Sequence, residues 1–141
     1  MKIETLRSED LDAVFALYLS VRDEFPALAP ESFRGALARN LARRSVRGVW
    51  ADGMLAGVLS YSPPLSRISF LAVHPAYRRR GIARALIKDA LEILGGKAEL
   101  FTYAGDTPAL SLYRSLGFRE EGEAEGFAVP VVRMVYIGEK A

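Results

Sequence analysis

The chain alternates between segments in which apolar residues recur every three or four positions and shorter segments that are apolar almost throughout. The first spacing predicts amphipathic helices, and the second predicts strands buried in a sheet. The predicted helices are one introduced by a Ser8 cap with Leu11, Val14, Phe15 and Tyr18 on one face, one over 31–43, one over 83–94 that buries Ala83, Leu86, Ile87, Ala90 and Leu94, and one over 108–115 capped by Thr107.

Strands are predicted over residues 2–6, 46–51, 54–61, 67–73, 98–103, 118–123 and 129–137. Asp52 and Gly53 join the second strand to the third, and a two-residue Asp-Gly link is typical of a tight hairpin turn. The element order β-α-α-β-β-β-α-β-α-β-β predicts an α/β (α+β) fold, with helices on the faces of a mixed sheet. With 141 residues, we expect a single domain over 1–141.

The junction between the fourth strand and the third helix carries the most informative chemistry. Arg78, Arg79, Arg80 and Gly81 stand directly before the helix, whose first N–H groups and positive dipole end attract an anion. Gly81 lets the backbone approach a phosphate closely, and arginines add charge and bidentate recognition. The alternative is a solvated loop with surface arginines. A Walker loop and a dinucleotide fingerprint are excluded, because Ile82 follows the single glycine.

Composition narrows the possible functions further. The chain contains no cysteine and one histidine, His74, which excludes disulfides, thiolate zinc sites and a cysteine nucleophile; we predict no metal. The formal net charge of +2 argues against nucleic-acid binding by the arginine clusters. The apolar runs are too short for a membrane span and the N-terminus lacks a signal-peptide pattern, so we expect a cytoplasmic protein that does not bind a membrane.

Two motifs resemble those of the GNAT superfamily of N-acetyltransferases. The sequence 71–75, Leu-Ala-Val-His-Pro, followed by Tyr77 to Leu86, fits the family pattern Arg/Gln-x-x-Gly-x-Gly/Ala. The sequence from Asp106 through Tyr113 to Gly117-Phe118 is similar to Asn-x-x-Ala-x-x-x-Tyr-x-x-x-Gly-Phe. The order and separation of the motifs, within this order of elements, extend the resemblance over nearly the whole chain.

The resemblance implies a mostly antiparallel, seven-stranded sheet with four helices, and acetyl-CoA as the cosubstrate. It implies that the CoA pyrophosphate rests on the turn and that the pantetheine arm inserts beside the fourth strand, with a backbone N–H near Leu71 or Ala72 polarising the acetyl carbonyl. The implied cofactor-binding residues are Leu71, Ala72, Val73, Arg78, Arg79, Arg80, Gly81, Ile82, Ala83 and Arg84.

Tyr113 matches the family's frequent general acid, which would protonate the departing thiolate. Asp106, Ala109 and Tyr113 stand at i, i+3 and i+7 and so share one helix face. The alternative is that Tyr113 only packs against the sheet. Two departures matter: Asp106 replaces the family's Asn, and Ser66-Arg67 stands where many members carry a glutamate base. The base therefore stays open between a water chain and Glu24.

The resulting hypothesis is acetyl transfer from acetyl-CoA to a primary amine of a small molecule or peptide by direct attack. The alternative is a CoA-binding sensor or protein-interaction module without turnover. Acidic and apolar residues in the loop over 21–32 favour a cationic amine with an apolar body. An apolar stretch containing Phe127, Val129, Val131 and Val132 suggests a weak homodimer.

Overall fold

The computed structural model describes residues 1–138, so residues 139–141 of the predicted domain lie outside the described residues. The strands are β1 Glu4–Thr5, β2 Val46–Ala51, β3 Met54–Ser62, β4 Arg67–Val73, β5 Ala98–Tyr103, β6 Arg119–Ala124 and β7 Val131–Tyr136. The helices are α1 Leu11–Ser20, α2 Pro30–Ala42, α3 Ile82–Ile93 and α4 Thr107–Ser115, with short 3-10 turns at Ser8–Asp10, Arg22–Glu24 and Pro75–Tyr77. The predicted order of helices and strands is confirmed.

The seven strands form one sheet in the order β1-β2-β3-β4-β5-β7-β6. Every neighbouring pair is antiparallel except β4 and β5, which are parallel. The mixed, mostly antiparallel sheet expected from the resemblance is therefore confirmed. The parallel pair is made possible by α3, which provides the crossover that parallel neighbours need.

Two apolar layers cover the two faces of the sheet. Helices α1 and α2 bury Val14, Tyr18, Phe33, Leu37 and Leu41 against Val58, Phe70 and Ala72. Helices α3 and α4 bury Ile82, Leu86, Ile87, Leu110 and Tyr113 against Leu59, Leu100 and Met134. Each face of the central strands is thus buried, which explains their nearly continuous apolar sequences.

A β-bulge lies at Ser69. In the pairing of β3 with β4, Ser60 is opposite Phe70 and the next residue, Tyr61, is opposite Ile68, so Ser69 is the extra residue on β4. An extra residue reverses the alternation of side chains between the two faces. Ile68 accordingly packs with α3 and α4, whereas Phe70 packs with α1 and α2.

Strands β4 and β5 pair over only a short distance. In the described part of the chain, their parallel register consists of Arg67 opposite Glu99 and Ile68 opposite Leu100. Both strands continue for several residues beyond these pairs. The two strands therefore diverge toward their C-terminal ends and leave a wedge-shaped gap in the middle of the sheet.

An ion cluster holds the narrow end of this gap. Glu99 accepts hydrogen bonds from Arg67 Nε at 2.7 Å and from Arg133 Nε at 2.8 Å, which ties β4, β5 and β7 together. The Glu99 side chain is only 16% exposed. Burial raises the pKa of this carboxyl, but hydrogen bonds from Arg133 and Arg67 oppose burial and leave the pKa below its usual value.

The predicted helix caps need correction. Ser8 does not begin α1; it lies in a 3-10 turn in which the Arg7 N–H donates to Asp10 Oδ2 at 2.7 Å, and α1 starts at Leu11. Asp106, not Thr107, caps α4, because its Oδ1 accepts the Ala109 N–H at 3.2 Å. Neighbouring polar residues can each cap a helix, so the sequence alone does not distinguish between them.

Some predicted boundaries and burial assignments also differ. The first strand has two residues instead of five, and the last begins at Val131 instead of 129. Helix α3 buries Ile82 and Leu91, whereas Ala83 and Leu94, which were predicted to be buried, are only half-buried. Val131 and Val132 are 3% and 8% exposed, so they fill the chain's own core and do not form the surface on which a dimer was predicted. The homodimer stays a prediction.

Within residues 1–138, none of the helices is both long and apolar enough to cross a membrane.

We predict that the Glu99 cluster sets the acid stability of the fold. A carboxyl with a depressed pKa stabilises the folded state above its unfolded value, here 4.5, and this contribution is lost as the pH falls through the folded pKa. Glu99→Gln should remove about 1 to 3 kcal/mol at pH 7 and should flatten the fall in stability below pH 4.5.

Urea denaturation at a series of pH values measures both effects. Glu123→Gln, on the exposed strand β6, is the matched control and should leave the profile unchanged. An identical acid profile for Glu99→Gln and the wild type would contradict the prediction.

Candidate active site

A cleft of about 610 Å³ occupies the gap between β4 and β5. Its lining extends from the segment between α1 and α2, across the diverging strands, to α4. Its lining residues are Glu24, Phe25, Pro26, Ala27, Leu28, Arg67, Ile68, Ser69, Phe70, Leu71, Ala72, Val73, Arg78, Ala83, Leu100, Phe101, Thr102, Tyr103, Asp106, Pro108, Ala109, Leu112, Tyr113, Phe127 and Val131. Residues from both predicted motifs thus meet in one place.

The free edge of β4 faces this cleft. The His74 N–H donates to the Ala56 carbonyl of β3 at 2.8 Å, and bonding direction alternates along an antiparallel strand. Ala72 therefore directs its N–H toward β3, whereas Leu71 and Val73 direct theirs away from β3 and into the cleft. Of the two N–H groups expected to polarise a carbonyl, the register favours that of Leu71.

The N-terminus of α3 opens beside the same edge. Gly81 is the N-cap, with φ +78° and ψ 11°, a left-handed conformation that favours glycine. A Cβ at Gly81 would meet no atom within 4 Å, so the space beside it is open. The first N–H groups of the helix, at Ile82, Ala83 and Arg84, have no acceptor within the helix. This geometry suits an anion.

Close packing fixes the position of α3. A Cβ at Gly57 would lie 2.5 Å from Cγ2 of Ile82, so the glycine allows the first turn of α3 to press onto β3. Arg47 on β2 holds Asp89 of α3 with two hydrogen bonds, at 2.8 and 3.0 Å. Ile82, one of the predicted cofactor-binding residues, is 5% exposed. Its side chain is buried, so it can offer a cofactor only its backbone N–H.

The predicted arginines do not all face the cleft. Arg78 lines it and is bound to the Val73 carbonyl and, at 2.7 Å, to Glu24. The guanidinium of Arg80 lies 5.1 Å from the centroid of the Tyr77 ring. Arg84 donates to Ser115 Oγ at 3.1 Å. Arg79 is exposed with φ +63°. Three of these arginines therefore make contacts that stabilise the turn, in addition to giving it positive charge.

Glu24 reaches the mouth of the cleft from the 3-10 turn between α1 and α2. Its ion pair with Arg78 connects that turn to the N-terminal side of α3. The structure thus places the suggested base next to the site, where its carboxylate is neutralised by an arginine.

Tyr113 lies on the α4 wall of the cleft. Its side chain is 8% exposed and its ring lies 5.7 Å from that of Phe118. Burial, and to a lesser extent the negative charge of Asp106, raise the pKa of the Tyr113 phenol well above its usual range. The hydroxyl is therefore protonated at neutral pH, and Tyr113 can donate a proton but cannot act as a base.

Sequence reasoning missed the aromatic and ionic side of the cleft. Arg67 lies 5.1 Å from the centroid of Phe101, whose ring lies 6.0 Å from that of Phe127. Alternation along β5 would have placed Glu99, Phe101 and Tyr103 on one face, but it could not show which other residues share that face. Within the described residues, no group of three or more His, Cys, Asp or Glu side chains could hold a metal ion.

A model of the acetyltransferase (GNAT) family matches residues 11–118. The chain belongs to this family. The structure of a GNAT-family acetyltransferase from Bacillus cereus aligns over 99% of this chain and 98% of its own, with a TM-score of 0.81 and 19% identity. The PaiA N-acetyltransferase of Thermoplasma acidophilum, solved in complex with coenzyme A, aligns over 94% and 96%, with a TM-score of 0.74 and 19% identity. At these identities the likeness shows the GNAT fold alone.

Sequence similarity to curated proteins covers about half of the chain. The N-alpha-acetyltransferase RimI of Mycobacterium tuberculosis is 35% identical over 82 residues, which cover 53% of this chain and 52% of RimI. The matched region spans a quarter or less of six other curated relatives. The family model establishes the GNAT family for this chain, and the substrates of these relatives are not carried over to it.

We predict that the Tyr113 hydroxyl ionises at a higher pH than that of an ordinary tyrosine. Ultraviolet titration of the wild type minus Tyr113→Phe should be flat through the usual tyrosine range, near pH 10, and should rise only at higher pH, because burial disfavours the phenolate. The same subtraction in denaturant is the control and should show a transition near pH 10. A transition near that pH in the folded protein would contradict the assigned burial.

Proposed function

We propose that this GNAT protein transfers an acetyl group from acetyl-CoA to a primary amine of a small molecule or peptide, by direct attack in a ternary complex. The observation that carries the proposal is the meeting of three features in one cleft: the free edge of β4, the N-terminus of α3 and the Tyr113 side chain.

The residues fit CoA at both ends of this cleft. Open space beside Gly81 and the N–H groups of the first turn of α3 suit the pyrophosphate. The N–H groups of Leu71 and Val73 and the carbonyl of Leu71 suit the amide groups of the pantetheine arm, which would bond to β4 as an added strand does. Acetyl-CoA, when bound, supplies the activated acetyl thioester.

Catalysis then depends on position and polarisation. The Leu71 N–H stabilises negative charge on the acetyl oxygen, as an oxyanion-hole donor does. The amine nitrogen forms a bond to the carbonyl carbon, the carbon–sulfur bond breaks, and Tyr113 donates its proton to the sulfur. The proton lost by the amine passes to Glu24 or through water, so the base is left open.

The raised pKa of Tyr113 shapes this last step. A thiol has a pKa near 8.5 in the cysteine model. Because the pKa of the Tyr113 phenol is higher, transfer of its proton to a thiolate is unfavourable by itself. The favourable conversion of the thioester into an amide must therefore drive this transfer. The Tyr113 phenolate must then regain a proton before the next turnover.

We expect Gly81→Glu to weaken acetyl-CoA binding by at least about tenfold, because it places a carboxylate where phosphate oxygens would lie and loses charge-assisted bonds. Gly53→Glu is the matched control: Gly53 also has a positive φ, +75°, and open space around it, but it lies in the β2–β3 turn. Calorimetric titration with acetyl-CoA measures both. Equal affinities in folded variants would overturn the binding site.

Tyr113→Phe should lower kcat by at least about tenfold and leave acetyl-CoA binding nearly unchanged, because general acid catalysis contributes roughly 100- to 10,000-fold. Tyr136→Phe, which keeps its ring against Phe118, is the control. Release of free CoA with a panel of primary amines measures turnover. Full kcat in Tyr113→Phe, with chemistry limiting the rate, would assign Tyr113 to packing; acetyl-CoA binding without release from any amine would favour the sensor alternative.

A further inference from the structure

Two arginines share one carboxylate on the sheet face opposite α3 and α4. Alternation along the strands places Arg67, Glu99 and Arg133 on this face, since their neighbours Ile68, Ala98, Leu100, Val132 and Met134 pack toward α3 and α4. Each oxygen of Glu99 accepts from one arginine, at 2.7 and 2.8 Å. The three side chains together carry a net charge of +1, so one positive charge is left for a ligand.

Arg67 presents this charge to the cleft. It is a lining residue with a side chain 35% exposed. Its contacts with Glu99 use Nε and Nη2, and Nη1 carries two further N–H donors. The guanidinium lies over Phe101 at 5.1 Å, which holds its plane in place. A guanidinium fixed in this way matches the geometry of a carboxylate.

Apolar side chains also line this cleft. Phe25 and Leu28 approach from the segment between α1 and α2, and Phe127 approaches from the segment between β6 and β7 and packs near Phe101. These side chains can contact the apolar body of a ligand whose charged group reaches Arg67.

The lining carboxylates are already engaged. Glu24 is paired with Arg78 at 2.7 Å, and Asp106 caps α4 through the Ala109 N–H. The acidic residues of the 21–32 loop had favoured a cationic acceptor with an apolar body. Because Arg78 neutralises Glu24, that expectation loses its main support at the cleft.

We propose that the acceptor carries a carboxylate beside an apolar or aromatic group, and that Arg67 binds this carboxylate while the amine reaches the thioester. The inference rests on the proposed acetyl transfer. The carboxylate belongs either to a free amino acid or to an acidic side chain of a peptide.

Acceptors of similar shape, with and without this carboxylate, test the inference. Phenylalanine and phenylalaninamide represent the free amino acid, and the peptide amides Ala-Glu and Ala-Gln represent the peptide. Because a charge-assisted hydrogen bond is stronger than a neutral one, we expect kcat/KM for the carboxylate acceptor to exceed that for the corresponding amide acceptor by about tenfold or more in at least one pair. The pair that shows the preference identifies the source of the carboxylate.

Two variants should move this preference in opposite directions. Arg67→Gln removes the donor and should bring the carboxylate-to-amide ratio close to one. Glu99→Gln removes the competing carboxylate and should raise the ratio. Arg119→Gln, an arginine on β6 with a side chain 71% exposed, is the control and should leave it unchanged. Thermal unfolding of each variant accounts for changes in stability.

Each outcome has a defined meaning. A role of Arg67 limited to holding the strands together predicts a lower Tm with an unchanged ratio, which would overturn the inference. Equal turnover of carboxylate and amide acceptors by the wild type would overturn it and leave acetyl transfer intact. Release of CoA from none of a broad amine panel would overturn acetyl transfer, and the inference with it.

Discussion

The short parallel pairing of β4 with β5 is the constraint on which the rest of the site depends. Two residue pairs join these strands at one end, and the ion cluster around Glu99 fixes that end by linking Arg67 and Arg133 across three strands. Beyond it, the strands separate and expose the backbone of β4. A continuous sheet would bury these polar groups in ladder bonds, whereas the gap leaves them for a ligand.

The bulge at Ser69 sets which side chains of β4 lie on each face of the sheet beside this gap. It turns Phe70 toward the aromatic cluster with Tyr18, Phe25 and Phe33 and leaves Leu71 and Val73 on the side of α3 and α4. The same strand thus anchors the α1–α2 layer and offers its free edge to the cleft. Because α3 is pressed onto β3 at Gly57, its N-terminus is held at one end of that edge.

Local sequence patterns predicted most of the fold and several residues that line the candidate site. Most elements were predictable from the spacing of their apolar residues, although β6 is polar and almost wholly exposed. Gly81 and Tyr113 were recognised from motifs within one strand–turn–helix unit and one helix. The cluster of Arg67, Glu99 and Arg133 was not predictable, since its members lie 32 and 34 positions apart and meet only through sheet topology. The pairing of Glu24 with Arg78, 54 positions apart, was hidden for the same reason. Helix caps were missed where polar residues compete within one turn, as Ser8 and Asp10 do.

Amide hydrogen exchange with and without coenzyme A reports directly on the free edge of β4. We expect coenzyme A to slow exchange at the N–H groups of Leu71 and Val73, which face the cleft, and at the first turn of α3. Exchange at Ala72, whose N–H already points to β3, should change little. Binding without added protection at Leu71 and Val73, or equal protection along all of β4, would contradict this expectation.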